Sequence, residues 1–224
     1  MLEVILDTET TGLSVTENHR IVEIGCIELK DQIPTNNEFH EIINPERPVS
    51  DEAYKVHGYS TDFLSKQKIF SEIANNFLAF IKNKKLIIHN APFDLAFLNY
   101  ELKRLEYEAI DKKNVIDTLE IARSKFPGSQ NSLDALCKRF NIDNSKRTKH
   151  SALIDCQLLK EIYINLLDQK EPKLNLENST ISDFKKATNN SKKFFKGKII
   201  KPSTLEIESH EKFLKSSLPK NNFN

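Results

Sequence analysis

Asp7 and Glu9 stand two residues apart near the start of the chain, where Leu2, Val4 and Leu6 alternate with Glu3, Ile5, Asp7 and Glu9. A period of two is a strand signature, and on a strand both carboxylates point to one face, about 7 Å apart. Two acids on a hydrophobic strand repel each other and lose hydration. A hard divalent cation bound by both relieves the conflict. Asp94 follows a short apolar run and falls in the first turn of a helix. Asp155 shares an apolar stripe with Ala152, Leu159 and Ile162, where an unpaired carboxylate is costly. His150 precedes it by five residues, at the edge of the same helix. A histidine there can lean over a cation held by Asp155 and take a proton from its water. Each group taken singly also has a plainer reading: an edge strand showing two acids to water, an Asp94 that complements a helix dipole, a surface histidine.

The elements that position these residues are legible from pattern. Leu2–Glu9, Arg20–Leu29 and Phe39–Pro45 read as three strands with short connections, the first broken by Thr10-Thr11-Gly12, hence an antiparallel meander. Lys30–Pro34 reads as turn. Phe70, Ile73, Ala74, Phe77, Leu78 and Ile81 have helical spacing. Lys85–Asn90 is a short buried strand, and Pro92 suits the first turn of the helix that carries Phe93 and Phe97. Asn114–Asp117 is a fifth strand. Ser132 caps a helix with Leu133, Leu136, Cys137 and Phe140 on one side, and the last body helix packs Ala152, Leu159, Ile162, Tyr163 and Leu166. Strands first, then strands alternating with helices, predict a mixed α/β sheet covered by helices.

Composition sets the limits. With 224 residues, 38% of them hydrophobic and 29% charged, the chain is large enough for one good-sized domain plus an appendage. No apolar run reaches the roughly 20 residues that span a bilayer. The chain begins directly with a strand, without a basic segment and apolar signal core, so a cytoplasmic protein with no membrane association is expected. Cys26, Cys137 and Cys156 lack metal-type spacing and are expected as reduced, buried thiols. The net charge of +1 conceals an asymmetry: residues 168–224 hold 12 lysines against 7 acids, and residues 1–167 hold 21 basic against 25 acidic groups.

Taken together, Asp7-Thr8-Glu9, His89-Asn90-Ala91-Pro92-Phe93-Asp94 and His150-Ser151-Ala152-Leu153-Ile154-Asp155 resemble the three exonuclease motifs of the DEDDh 3′–5′ exonucleases. Val56-His57-Gly58, Asn131–Cys137 and Ile142–Thr148 are similar to segments of the epsilon, or proofreading, subunits of bacterial DNA polymerase III. The resemblance runs from residue 2 to about 167. It implies a ribonuclease H-like fold, a mixed five-stranded sheet flanked by helices, with a flexible C-terminal tail. It also implies that Asp7, Glu9, Asp94, Asp155 and His150 are the catalytic five, with the four acids holding two divalent cations, Mg²⁺ or Mn²⁺. Asp7 would bridge the cations, Glu9 and Asp155 would serve the one on the nucleophile side, and Asp94 the other. Hydrolysis of a phosphodiester needs an activated water, charge relief on the phosphoryl oxygens and a stabilised leaving oxygen, all of which two metals can supply. His150, with an ordinary pKa near 6.5, suits a general base. Contacts to the terminal nucleotide are expected from Asp7, Thr8, Glu9, Leu13, His57, Phe93 and Asp155.

The expected activity is removal of mispaired nucleotides from single-stranded or frayed 3′ DNA ends during replication. An exoribonuclease with the same chemistry and a non-catalytic polymerase scaffold are the alternatives. Residues 1–167 form the expected exonuclease domain, 168–202 a flexible basic linker, and 203–224 a segment that binds the polymerase. Ser203 and Glu206 fit a capping box, with Leu205, Ile207, Phe213 and Leu214 on a broad apolar side. The resemblance assigns this segment to the catalytic (alpha) subunit of the polymerase, and adds a small accessory subunit and a sliding clamp as candidate partners. Ser179–Phe184 has the apolar–aromatic character of a clamp-binding peptide but lacks a leading Gln.

Overall fold

The computed structural model describes residues 1–145, 147, 149–167 and 202–217. The sequence divides into two units, Met1–Lys173 and Leu174–Asn224. In the first, strands β1 (Leu2–Thr10), β2 (Ile21–Lys30), β3 (Ile33–Asn44), β4 (Lys68–Ile69), β5 (Lys85–Ile88) and β6 (Val115–Asp117) form one sheet in the order β4-β3-β2-β1-β5-β6. β1, β2 and β3 pair antiparallel, as the meander predicted, and β5 joins β1 in parallel. β6 adds to β5, also in parallel. The sixth strand, β4, is a two-residue pairing with the end of β3. It is too short to leave a period in the sequence.

β3 also starts earlier than expected. Asp31 and Gln32 both take positive φ, 51° and 67°, and close a two-residue hairpin. Ile33 and Pro34 therefore pair with Lys30 and Leu29 instead of forming part of the turn.

Among the described residues, seven α-helices belong to this unit: α1 (Asp51–His57), α2 (Thr61–Leu64), α3 (Phe70–Ile81), α4 (Ala91–Arg104), α5 (Thr118–Lys125), α6 (Leu133–Phe140) and α7 (Ala152–Leu166). The alternation along β1 decides which of them meets which residue. Val4 and Leu6 enter a core with Ile73 and Phe77 of α3 and Phe97 and Leu98 of α4. Ile5 points the other way, into a core with Cys156, Leu159 and Tyr163 of α7. Asp7 and Glu9 continue the face of Ile5, toward α7, while Thr8 continues the face toward α4. A third cluster, with Ala122, Leu136 and Ile162, ties α5 and α6 to α7. All three cysteines are buried and unpaired. Gly25, the partner of Asp7 across the β1–β2 ladder, lets α7 approach closely, because a Cβ there would lie 2.5 Å from the Ala152 carbonyl carbon.

In the second unit, helix α8 (Thr204–Ser217) begins with the expected capping box. Glu206 N–H donates to Ser203 Oγ at 3.3 Å, and the Ser203 N–H donates to Glu206 Oε2 at 2.8 Å. Leu205, Ile207 and Phe213 are exposed. The linker beyond Leu167, up to Lys201, and the Ser179–Phe184 peptide lie outside the described residues. Among the described residues no helix is long and apolar enough to cross a membrane.

Candidate active site

Asp7, Glu9, Asp94, His150 and Asp155 all line one cleft of about 890 Å³. β1 delivers the first two at its C-terminal end. α4 delivers Asp94 from its first turn, where the Thr8 backbone N–H and hydroxyl donate to Asp94 Oδ1 at 3.0 and 2.6 Å. The strand residue between the two metal-type acids thus fixes the third. Asn90, in left-handed conformation, turns the chain from β5 into α4 and is held by Asp117 Oδ1 on its backbone N–H at 3.0 Å. α7 delivers Asp155 from its first turn, and His150 lies just before that helix with its backbone N–H bonded to the Val56 carbonyl at 3.1 Å.

The electrostatics are those of an anionic cluster held out of water. Burial pushes the Glu9 carboxyl up to about 8, helped by Asp155 and Glu23. Burial likewise raises Asp94, to about 7, against the hydrogen bonds from Thr8. Asp7 is raised by burial and then by Asp94, Asp155 and Glu9. Asp155 goes the other way: burial would raise it, but donors from His150 and Arg147 hold it below its ordinary value. Ligand atoms of Glu9, His150 and Asp155 lie within 4.8 Å of one another. Hard oxygen donors that repel each other and resist ionisation are what a divalent cation resolves, so this donor set fits the metal.

Arg147 is a member of the site that residue pattern did not reveal. Its Nε and Nη2 donate to Asp155 Oδ1 and Oδ2 at 2.5 and 2.7 Å, and its Nη1 to Asp134 at 2.8 Å. Nη2 also approaches His150 Nδ1 at 2.8 Å. The side chain of Arg147 is 7% exposed, so this is a buried positive charge inside an acidic cleft.

The expected nucleotide contacts are distributed unevenly. Leu13 is 85% exposed, which excludes a core role, and it borders the catalytic cleft together with Phe93. Both also border an adjoining hollow of about 460 Å³, which His57 lines and the catalytic cleft does not include. His57 is buried, with Nδ1 accepting from the Tyr59 N–H at 3.0 Å, and burial lowers its pKa. Leu119, Arg123, Phe126 and Asn131 also line the cleft.

Comparison with known proteins decides the family. Residues 4–163 match the Exonuclease family. The chain belongs to it. DNA polymerase III subunit epsilon of Rickettsia felis is 48% identical over 221 residues, covering 96% of each chain. The Haemophilus influenzae protein of the same name is 39% identical and covers 95% of this chain and 89% of its own. The similarity therefore extends through the C-terminal unit. Among solved structures, the nuclease domain of 3′hExo, a DEDDh family member bound to rAMP, superposes with a TM-score of 0.66 at 19% identity, covering 75% of this chain and 92% of that one. Exonuclease X in complex with 5′ overhanging duplex DNA gives 0.59 at 24% identity, with the same coverage. These two share the fold. In the DEDDh exonucleases divalent metal is required, in keeping with the donor set described above.

Proposed function

We propose that this exonuclease is the proofreading subunit of a DNA polymerase III, removing mispaired nucleotides from 3′ DNA ends and releasing nucleoside 5′-monophosphates. The observation that carries the reading is the convergence of Asp7, Glu9, Asp94, His150 and Asp155 in one cleft of a chain with epsilon-subunit relatives along nearly its whole length. The four acids would hold two divalent cations, Mg²⁺ or Mn²⁺. When bound, these supply charge relief on the phosphoryl oxygens and lower the pKa of water.

The chain's own residues do the rest. His150, whose Nδ1 lies 3.4 Å from Asp155 Oδ2 and 4.0 Å from Glu9 Oε1, stands beside the carboxylates that would hold the cations and acts as general base. Asp7, Thr8, Glu9 and Asp155 meet the terminal phosphate and sugar. Leu13 and Phe93 pack on the terminal base, and His57 closes the adjoining hollow. Contacts of this kind read no sequence. Mispairing lowers the cost of fraying, so a site that admits only single strands receives more mismatched than matched ends.

The domain reading completes the proposal: an exonuclease body over 1–167, a basic linker over 168–202 and a polymerase-binding segment over 203–224. Exposed Leu205, Ile207 and Phe213 on α8 give the alpha subunit an apolar face to bind, and a tether keeps the nuclease at high local concentration near the primer end. A small accessory subunit and the sliding clamp are further partners of the same assembly. The test is degradation of single-stranded DNA, matched and 3′-mismatched primer–template DNA, and RNA of the same sequence, each with and without Mg²⁺. Faster loss of mismatched than matched DNA ends, with RNA resistant, supports proofreading. RNA degraded as fast as DNA supports an exoribonuclease, and no degradation of any of them supports a scaffold.

A further inference from the structure

Behind the catalytic carboxylates lies a second one that the proposed chemistry does not use. Glu23 sits on β2 directly opposite Glu9 in the β1–β2 ladder and is completely buried. A fully buried carboxylate beside other acids is expected to be neutral or to hold a cation. This one does neither. Its Oε1 accepts from His40 Nε2 at 2.7 Å and from Ser151 Oγ at 2.8 Å, and its Oε2 accepts from the Tyr59 hydroxyl at 3.0 Å. These donors hold the Glu23 carboxyl below its ordinary value in spite of burial. They occupy three of the roughly four lone-pair sites of a carboxylate, so little is left for a metal.

The donors come from three separate segments. His40 is on β3, Tyr59 follows α1, and Ser151 immediately precedes α7. Ser151 stands at the N-cap of α7, yet its hydroxyl makes no capping bond to its own helix. It is turned onto Glu23 instead. The Glu23 carboxylate thus holds the N-cap residue of α7 from another strand, with its charge near the positive end of the helix. Tyr59 stacks on His57 with ring centroids 5.1 Å apart, and the end of α1 holds the His150 N–H through the Val56 carbonyl. Gly25, two residues beyond Glu23, brings the backbone of Ala152 against β2.

We propose that Glu23 is the positioning residue for His150: with Ser151 and Tyr59 it pins the start of α7, and the loop before it, at the distance from β1 that aims the imidazole at the reacting water. The proposal rests on His150 being the general base. Catalytic geometry tolerates errors well under an ångström, so loosening a residue adjacent to the base is felt in turnover more than in binding.

The experiment is a mutant cycle on the full-length chain with single-stranded DNA. Ser151→Ala and Glu23→Gln should each lower kcat by about tenfold or more, with KM and the Mg²⁺ dissociation constant within about twofold of wild type. Ser151→Thr, which keeps the hydroxyl, should recover most of kcat. In a His150→Ala background, Ser151→Ala should cost nothing further, because the group it positions is gone. Wild-type kcat in the Ser151→Ala single variant, or a tenfold penalty that persists in the His150→Ala background, overturns the positioning role. Failure of the underlying reading looks different: His150→Ala alone would then keep wild-type kcat.

Discussion

Without divalent cation, Glu9→Gln should make the protein more stable, although it removes a group that the proposed activity needs. Glu9 is 9% exposed, and burial with Asp155 and Glu23 nearby pushes its carboxyl from 4.5 to about 8. An acid whose folded pKa exceeds its unfolded pKa binds an extra proton in the folded state between those values. Its stability is therefore intact below the unfolded pKa and is lost as pH rises through that window, the reverse of an ion-paired acid. At about 1.4 kcal/mol per unit, the loss reaches a ceiling of about 5 kcal/mol above pH 8. Solvent relaxation in the cleft and proton sharing among neighbouring acids reduce this by roughly half, to about 2–3 kcal/mol. Glutamine has the shape of the protonated acid and no charge, so the variant escapes the loss. By calorimetry in EDTA at pH 8.5, its Tm should exceed that of wild type by about 5–10 °C. Near pH 5 the difference should shrink to under about 1 kcal/mol. Added Mg²⁺ should stabilise wild type and narrow or reverse the gap, because the variant binds the ion poorly. Equal melting temperatures in EDTA at pH 8.5 would refute the reasoning that the site stores repulsion for a cation to relieve.

Three further outcomes follow from the same geometry. His150→Ala and His150→Gln should each lose on the order of 10²-fold or more in activity while keeping the Mg²⁺-induced rise in Tm, since the four carboxylates remain; loss of that rise would make His150 a ligand instead of the base. Arg147→Ala should destabilise the metal-free protein by about 3–5 kcal/mol near neutral pH, because it strands the buried Asp155, and Mg²⁺ should then recover a larger share of stability than in wild type. An unchanged Tm in EDTA would show that Asp155 finds another partner. Truncation after residue 167 should leave degradation of free single strands nearly intact and abolish co-purification with the polymerase alpha subunit, and Phe213→Asp should do the same in the full chain; loss of activity on free DNA with co-purification retained would make the tail a DNA-holding arm.

What the sequence made legible follows from how each residue is held. Asp7 and Glu9 lie on a strand whose period of two puts them on one face, and Asp155 interrupts an apolar helical stripe, so their grouping could be read one residue at a time. Glu23 is different. Nine of the ten residues of β2 are buried, because helices cover both faces of that strand, and alternation then says nothing about which polar residue is inside. Arg147 sits in an irregular loop between α6 and α7, where no period exists, and only the folded chain brings its guanidinium to Asp155. Helices α1, α2 and α5 have four to eight residues, too few for an amphipathic stripe, and are marked instead by caps at Ser50, Ser60 and Asp117. Leu13, expected as a nucleotide contact although residue type alone reads equally as core, stands exposed at the rim of the cleft.

The central claim is that Asp7 and its three companion acids make the cleft a metal-dependent 3′–5′ hydrolytic site. The most direct measurement is the rate and chemical form of product released from a 3′-mismatched, end-labelled primer, for wild type and Asp7→Ala, across a Mg²⁺ titration. Wild type should release nucleoside 5′-monophosphates stepwise from the 3′ end, at a rate that rises with Mg²⁺ and vanishes in EDTA, and Asp7→Ala should release none at any Mg²⁺ concentration. Wild-type turnover by Asp7→Ala, or degradation that starts from the 5′ end, would contradict it.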